Sequence, residues 1–384
     1  MKIIYITTSM TSDDFNHLLK ICHTAPNPSN QNFHHNLIKA FACYFDITVV
    51  SSTPINKSIL FDKHINLSDA YEDHINYQYL SFNNSKIFRF ISLKKSLHSK
   101  LKYLSKIYHK DLLLVVDGMN ATLAKEAQKF AKKHHIPTLG IVTDNPNLLT
   151  DLSPIRTKRM IAALSNFDNY ICLNDGLNEL FNKHNRPSLI IEGIVNKTNK
   201  QQIKGKFPYF FFGGALYEKY GVKNLIHSFQ KLDTQNSLYI AGNGPLKDYI
   251  IKKSIKDKRI RYLGILSQDE MQAYENGAIA NINPRPYTKD FDKYCIPSKL
   301  LEYANSSALT ISTYHSRLYK IFGSSIYWCK DNETDLLLTL EKVNALDELT
   351  KKKKILKANV IANKNFGLNS ISEKIRKFIK NIAK

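Results

Sequence analysis

Residues 292–307, DKYCIPSKLLEYANSS, bring a proline, a lysine and a glutamate into one short helical stretch. Ser298, Lys299 and Glu302 share one helical face, and Leu300, Leu301 and Ala304 share the opposite one. Pro297 suits the first helical position, where the N–H it lacks would have no partner anyway. A cation in a first turn opposes the helix dipole unless an anion accompanies it. Two readings are open. Either Lys299 and Glu302 form a solvated i,i+3 ion pair, or an anion sits at this N-terminus, held by Lys299 and the free N–H groups. Further residues of the same half bear on the choice. NPRP places Arg285 just past a strand, and GGALYEKYG follows a strand with Gly213, Gly214 and then Lys219. Gly242 and Gly264 end two more strands. Two or three cations with a helix N-terminus suit a diphosphate, and Glu302 can accept hydrogen bonds from a vicinal diol such as a ribose. This is neither a Walker loop nor a GxGxxG fingerprint. The combined chemistry is that of a nucleotide diphosphate site.

Such residues need strands to end where they stand. Runs of about six β-favouring residues alternate with helical patterns throughout. The first half has strands at 2–7, 46–51, 112–117, 138–143, 169–174 and 188–193. The second half restarts at 209–214 and continues at 237–242, 260–264, 278–283, 308–313 and 324–329. The alternation predicts an α/β protein of two doubly wound, Rossmann-like domains facing across a cleft, with ligands beyond the carboxyl ends of the strands. The expected divisions are 1–197, 198–365 and a C-terminal amphipathic helix over 366–384 that crosses back to the first domain, with 195–208 as linker. Ser370 and Glu373 give that last helix a capping-box spacing.

Composition narrows the class. The chain has 384 residues, 43% of them hydrophobic, enough for two cores. No apolar run is long enough to span a membrane, and MKIIYITTS reads as a first strand instead of a secretion signal. The five scattered cysteines form no CxxC and are read as reduced, mostly buried residues of a cytoplasmic protein. The net charge of +22 suggests a polyanionic neighbour: nucleic acid, an anionic membrane face or an anionic substrate. Zinc-ligand spacing, an RNP motif and an arginine-rich helix are all missing, so nucleic acid is not the expected partner.

From 210 to 313 the chain resembles the retaining glycosyltransferases of family 4, which have the two-domain GT-B fold, and within them the subgroup that builds capsular and exopolysaccharides. The blocks carrying the resemblance are FFFGGALYEKYGVKNLIHSF, LYIAGNGP, IRYLGIL and NPRPYTKDFDKYCIPSKLLEYANSSALTIST. The opening strand, NPSNQNFHHNLIKAF and IEGIVN extend it over nearly the whole chain. The resemblance implies a nucleotide-sugar donor as co-substrate, uridine-based in most of the subgroup, no obligatory cofactor or metal, and a glycan or lipid-linked acceptor. It makes Glu302 the second glutamate of an E-x7-E motif that holds the ribose, and Lys219 and Arg285 the diphosphate cations. Tyr294 stands where the first glutamate belongs, and Asp290 is the acidic residue four positions earlier; Asp290 or main chain over Tyr294–Ile296 would meet the donor sugar. The usual small-Gly-x-Pro turn is replaced by Ser306, Ser307, Ala308 and Leu309. Asp290-Phe291-Asp292 also matches the DxD triplet of the other glycosyltransferase fold, GT-A, but the Rossmann-like setting argues against it. A GT-B epimerase, a non-catalytic partner subunit of a transferase and a nucleic-acid binder are the competing readings.

The first half is sparser. Asp117 and Asp144 follow strands and either orient an acceptor hydroxyl or merely cap a turn. His34 and His35 read equally as solvated helix residues. Residues 92–108 predict an amphipathic helix with Leu93, Leu97, Leu101 and Leu104 on one face and Lys94, Lys95, Lys102 and Lys106 flanking it. That helix is either packed on the first sheet or a peripheral dock for the anionic inner face of the plasma membrane.

Overall fold

A computed structural model describes every residue except 23–25, 27, 56–58, 60, 61, 86, 87, 109, 110, 150, 151, 197–200 and 384. The expected division at 197/198 and part of the proposed linker lie outside the described residues. The chain forms two compact units, one of Met1–Ile194, Lys293–Ile296 and Leu368–Lys384, the other of Val195–Asp292 and Pro297–Gly367.

In the first unit the strands are β1 (Lys2–Thr7), β2 (Asp46–Ser51), β3 (His64–Ile65), β4 (Ala70–Glu72), β5 (Ile75–Tyr79), β6 (Phe82–Asn83), β7 (Leu112–Asp117), β8 (Thr138–Val142), β9 (Asn169–Cys172) and β10 (Ser188–Ile190). Eight of them make one sheet in the order β10-β9-β8-β7-β1-β2-β5-β4, parallel except for β4 on β5. Strands β3 to β6 were absent from the sequence-based expectation. They are two to five residues long, too short for a periodic run, although the alternating burial of Ile75, Tyr77 and Tyr79 in β5 is the period-two mark of a half-covered strand. Central strands such as β7 are buried at every position, which explains why LLLVVD is apolar throughout.

Helix Ala121–His134 begins at an Asn120 side-chain cap and ends on left-handed His135. The last helix, Leu368–Ile382, starts before Ser370, so the expected capping box does not form. Glu373 instead accepts from Tyr44 and Arg376. Ile371, Ile375 and Ile379 are fully buried in the first core, each stabilising by about 1.5–3 kcal/mol. A capping box does form elsewhere, at Ser267 and Glu270 of helix Gln268–Gly277. Of the cysteines only Cys172 and Cys329 are buried, while Cys43 is exposed on a helix end, so the expectation of mostly buried thiols fails.

The second unit holds β11 (Tyr209–Gly213), β12 (Ser237–Ala241), β13 (Ile260–Gly264), β14 (Ala280–Asn283), β15 (Leu309–Thr313) and β16 (Tyr327–Cys329). All pair in parallel in the order β13-β12-β11-β14-β15-β16. This is the doubly wound dinucleotide-fold order, in which the direction of winding reverses between β11 and β14. The first sheet reverses in the same way between β1 and β7. Loops leaving the two strands beside a reversal diverge and leave a crevice beyond the carboxyl ends.

Candidate functional site: the strand ends of the second unit

Gly213 ends β11 at the reversal. Its N–H donates to the Tyr303 hydroxyl at 3.0 Å, and that hydroxyl lies 3.1 Å from the Gly213 carbonyl. A Cβ here would stand 2.4 Å from Met271 Sδ, so the methionine side chain would have to shift to admit one. The neighbouring strand-end loops are laid equally close. Gly214 N–H donates to Ala241 O at 3.0 Å and Gly242 N–H to Gly264 O at 2.7 Å. Gly242, at φ +131°, has its missing Cβ position 1.8 Å from Gly214 O, which no side chain can occupy.

Two groups of charged side chains stand on this edge. In the first, Arg285 half-buries its guanidinium over the Phe291 ring at 3.9 Å and over Tyr220 at 5.0 Å. Lys219, exposed in a short turn, approaches the same Tyr220 ring at 5.6 Å. The aromatic rings orient both cations without neutralising them. Asp292 is spent structurally: it accepts from Ser316 N–H at 2.7 Å and Ser316 Oγ at 2.6 Å at the start of helix Ser316–Phe322. Asp290 is exposed on helix Lys289–Tyr294. No cluster of metal-ligating side chains is present among the described residues.

The second group answers the question of Lys299. Helix Ser298–Ala304 begins one residue later than expected, with Pro297 at the flanking cap position. Lys299 Nζ lies 2.6 Å from Glu302 Oε2 and 3.1 Å from Glu275 Oε1, and Glu275 is almost wholly buried. Burial works against the ammonium, but Glu275 and Glu302 outweigh it and hold its pKa well above the ordinary lysine value. The Glu275 carboxyl, by contrast, is pushed up to about 7, first by burial and then by Glu302. Glu302 remains half-exposed, with its carboxylate reachable from outside. Sequence reasoning missed Glu275 altogether. Its only signal is a carboxylate on the same helical face as Met271, inside an otherwise polar QDEMQAYENG.

Glu275 makes stability pH-dependent. A carboxyl whose value rises from 4.5 to about 7 on folding binds more protons folded than unfolded. Stability is therefore lost as pH rises through that window, on the order of 3 kcal/mol in all. Thermal unfolding followed from pH 4 to 8 should show this decline in the wild type and a flatter profile in Glu275→Gln. Parallel profiles would mean Glu275 does not titrate there.

The Ser306–Leu309 turn lacks glycine and proline but is pinned by side chains. Ser307 N–H donates to Asn276 Oδ1 at 2.9 Å, Asn281 Nδ2 to Ser306 Oγ at 2.9 Å, and Asn359 Nδ2 to the Ser306 carbonyl at 2.9 Å. None of these turn residues has positive φ, so no glycine is required.

The remaining expected residues lie in the first unit. Tyr294 and Ile296 belong to Lys293–Ile296, and Tyr294 packs against the first core. Asp117 ends β7 at that sheet's own reversal and is buried. His34 Nε2 is 3.4 Å from its Oδ2, and Tyr5 Oη is 2.7 Å from His34 Nδ1. The contact with Asp117 has ion-pair length without hydrogen-bond alignment. Burial tends to raise the Asp117 pKa, but His34 and the Met119 N–H outweigh it and keep it below the usual value. Both His34 and His35 are buried, correcting the solvated reading. Asp144 is half-buried two residues past β8.

No protein-family model matches the chain, and no curated protein sequence is significantly similar. Solved structures match over the full length. Sucrose-phosphate synthase from Thermosynechococcus elongatus superposes with a TM-score of 0.72 at 11% identity, covering 100% of this chain and 99% of that one. HepE from Anabaena in complex with UDP matches at 0.66 and 12% identity, covering 99% and 100%. The lipopolysaccharide outer core galactosyltransferase WaaB matches at 0.62 and 14% identity over 100% of both chains. The fold is that of the GT-B glycosyltransferases.

Proposed function

We propose that the chain is a retaining glycosyltransferase of the family 4 type, taking a sugar from a uridine-diphosphate donor to a growing, lipid-linked cell-surface glycan. The observation that carries this reading is the presence within the second unit of two cations against aromatic rings beyond the strand ends (Lys219 and Arg285), a half-exposed carboxylate (Glu302) on the helix whose Tyr303 hydroxyl meets Gly213, and a strand-end backbone too close for any side chain at Gly242. Structures of the same fold have been solved with UDP and with UDP-glucose, which supports a uridine donor. In this reading Glu302 accepts the ribose diol, and the ammonium of Lys299 fixes the carboxylate that does so. Lys219 and Arg285 face the diphosphate. As the glycosidic bond breaks, negative charge grows on the leaving phosphate, and cations already oriented by Tyr220 and Phe291 stabilise it without rearranging. A donor phosphate oxygen takes the acceptor proton, and the half-buried Asp144 is the residue that orients the acceptor hydroxyl, since Asp117 is enclosed with His34 and the Met119 N–H.

Screening UDP-glucose, UDP-galactose, UDP-N-acetylglucosamine and GDP-mannose for thermal stabilisation and slow hydrolysis tests this reading, with at least one uridine donor expected to score. No stabilisation and no turnover with any of them would sink it. Lys219→Ala and Arg285→Ala should cut turnover by about 10²–10³-fold, more than they weaken donor binding. Equal losses in both would assign the cations to ground-state binding alone.

Membrane contact through helix Phe88–Tyr108 is part of the proposal. No described helix is long and apolar enough to cross a membrane. Leu93, Leu97, Leu101 and Leu104 are buried in the first core, so the apolar face read from sequence is structural. A second set, Phe88, Phe90, Ile91, Tyr103 and Ile107, is exposed beside the lysines. Each lysine near an anionic surface contributes about 1 kcal/mol. Changing Lys94, Lys95, Lys102 and Lys106 to glutamine should abolish salt-sensitive binding to anionic liposomes. A wild type that ignores such liposomes at low salt leaves the helix purely structural.

A further inference from the structure

Along the same edge of the second sheet, past the cations, four aromatic side chains form a chain of ring contacts. Tyr287 lies four residues beyond β14, Tyr314 directly after β15, Tyr319 on helix Ser316–Phe322 and Trp328 within β16. Ring centroids are 6.4 Å apart for Tyr287 and Tyr314, 5.3 Å for Tyr314 and Tyr319, and 5.7 Å for Tyr319 and Trp328. Tyr287, Tyr314 and Tyr319 are 42%, 42% and 46% exposed, so three adjacent large rings are left uncovered where a core would hide them. Parallel strands β14, β15 and β16 end in register, which brings Tyr287, Tyr314 and Trp328 to one edge, and Tyr319 joins them from the helix that follows β15.

We propose that this row is a glycan-binding surface that holds saccharide units of the acceptor or product chain beside the donor site. The choice of a glycan rests on the glycosyltransferase reading; the uncovered row itself does not. Pyranose rings present C–H faces that pack on aromatic faces and hydroxyls that need polar partners at the rim. Tyrosine hydroxyls supply such partners, as do the exposed Lys330 and Asp331, and Asp331 Oδ2 already accepts the Tyr287 N–H at 3.2 Å. Successive ring planes are inclined by 49°, 46° and 63°. Planar bases stacked in a nucleic-acid strand need near-parallel platforms, whereas sugar units turn relative to one another at each glycosidic bond. Between residues 284 and 332 the exposed large hydrophobic side chains are these three tyrosines.

The chain contains a single tryptophan, and it belongs to this row, so its fluorescence reports occupancy directly. Full-length protein titrated with maltohexaose, cellohexaose and chitohexaose should give a saturable change in Trp328 emission with at least one of them. The Tyr314→Ala/Tyr319→Ala double variant should bind that sugar at least tenfold more weakly while hydrolysing the donor at the wild-type rate. Emission that responds to none of the three sugars overturns the proposal, as does a response to polyuridylate in their place or an undiminished affinity in the folded double variant. Sugar binding by a protein that turns over no sugar nucleotide would leave the glycan surface standing and remove the transferase reading, so the two failures are distinct.

Discussion

Replacing Glu302 with alanine is expected to weaken uridine-diphosphate binding by about 30- to 1,000-fold, or roughly 2–4 kcal/mol, in a protein that still folds. The size follows from losing two charge-assisted hydrogen bonds to a diol that is then left without acceptors. The fold should survive because the Glu302 side chain is 40% exposed and Lys299 keeps Glu275 as its second partner at 3.1 Å. Calorimetric titration with UDP, alongside circular dichroism of the variant, reads both quantities. Unchanged affinity in a folded variant removes the ribose assignment and leaves Lys299–Glu302 as an ion pair alone. Glu302→Gln should recover part of the binding, since one amide oxygen still accepts.

Gly242→Ala is expected to be the most damaging single methyl that the second unit can receive at its strand ends. The new Cβ would fall 1.8 Å from the Gly214 carbonyl, a backbone atom that cannot rotate aside, at a φ of +131° that alanine resists. Backbone strain at such positions costs about 1–3 kcal/mol before any clash is relieved. Relief requires β11 and β12 to part where Gly214 N–H donates to Ala241 O. Denaturant unfolding should show a loss of at least about 3 kcal/mol, with donor affinity falling alongside it. Gly264→Ala is the internal control: no atom lies within 4 Å of its Cβ position, so only the left-handed backbone resists the change. Comparable losses in the two variants would show that conformation, not crowding, sets the requirement at Gly242.

Those two glycines show what sequence can and cannot convey here. Strand ends were legible because six-residue apolar runs stop at polar or glycine residues, and β11 to β15 fall within a residue or two of where the pattern puts them. Arg285 and Lys299 were legible as cations next to such ends. What they touch was not. Tyr220 links Lys219 to Arg285, and Glu275 closes on Lys299 from a helix 24 residues earlier. Those meetings depend on strand order, which spacing along the chain does not encode. Burial misled in the same way. His34 reads as polar, yet it shares the inward face of its helix with Leu37, Ile38 and Phe41 and meets Asp117 from a strand more than eighty residues away. The short strands β3, β4 and β6 escaped because hydrogen bonding to neighbours, not hydrophobic periodicity, makes them strands, and β5, between β2 and β4, carries its period-two pattern over only five residues.

The helix Leu368–Ile382 gives the protein a timetable. Its isoleucines complete the core of the first unit, whose other residues end at Ile194 except for Lys293–Ile296. On a ribosome adding roughly 5–20 residues per second, that core waits on the order of 10–35 s for its last piece. In the interval the surface of helix Pro28–Ala42 that Ile371, Ile375 and Ile379 will cover is open to water, to chaperones and to other nascent chains. The unit made first is therefore finished last, and a premature stop anywhere in the second unit leaves both unfinished.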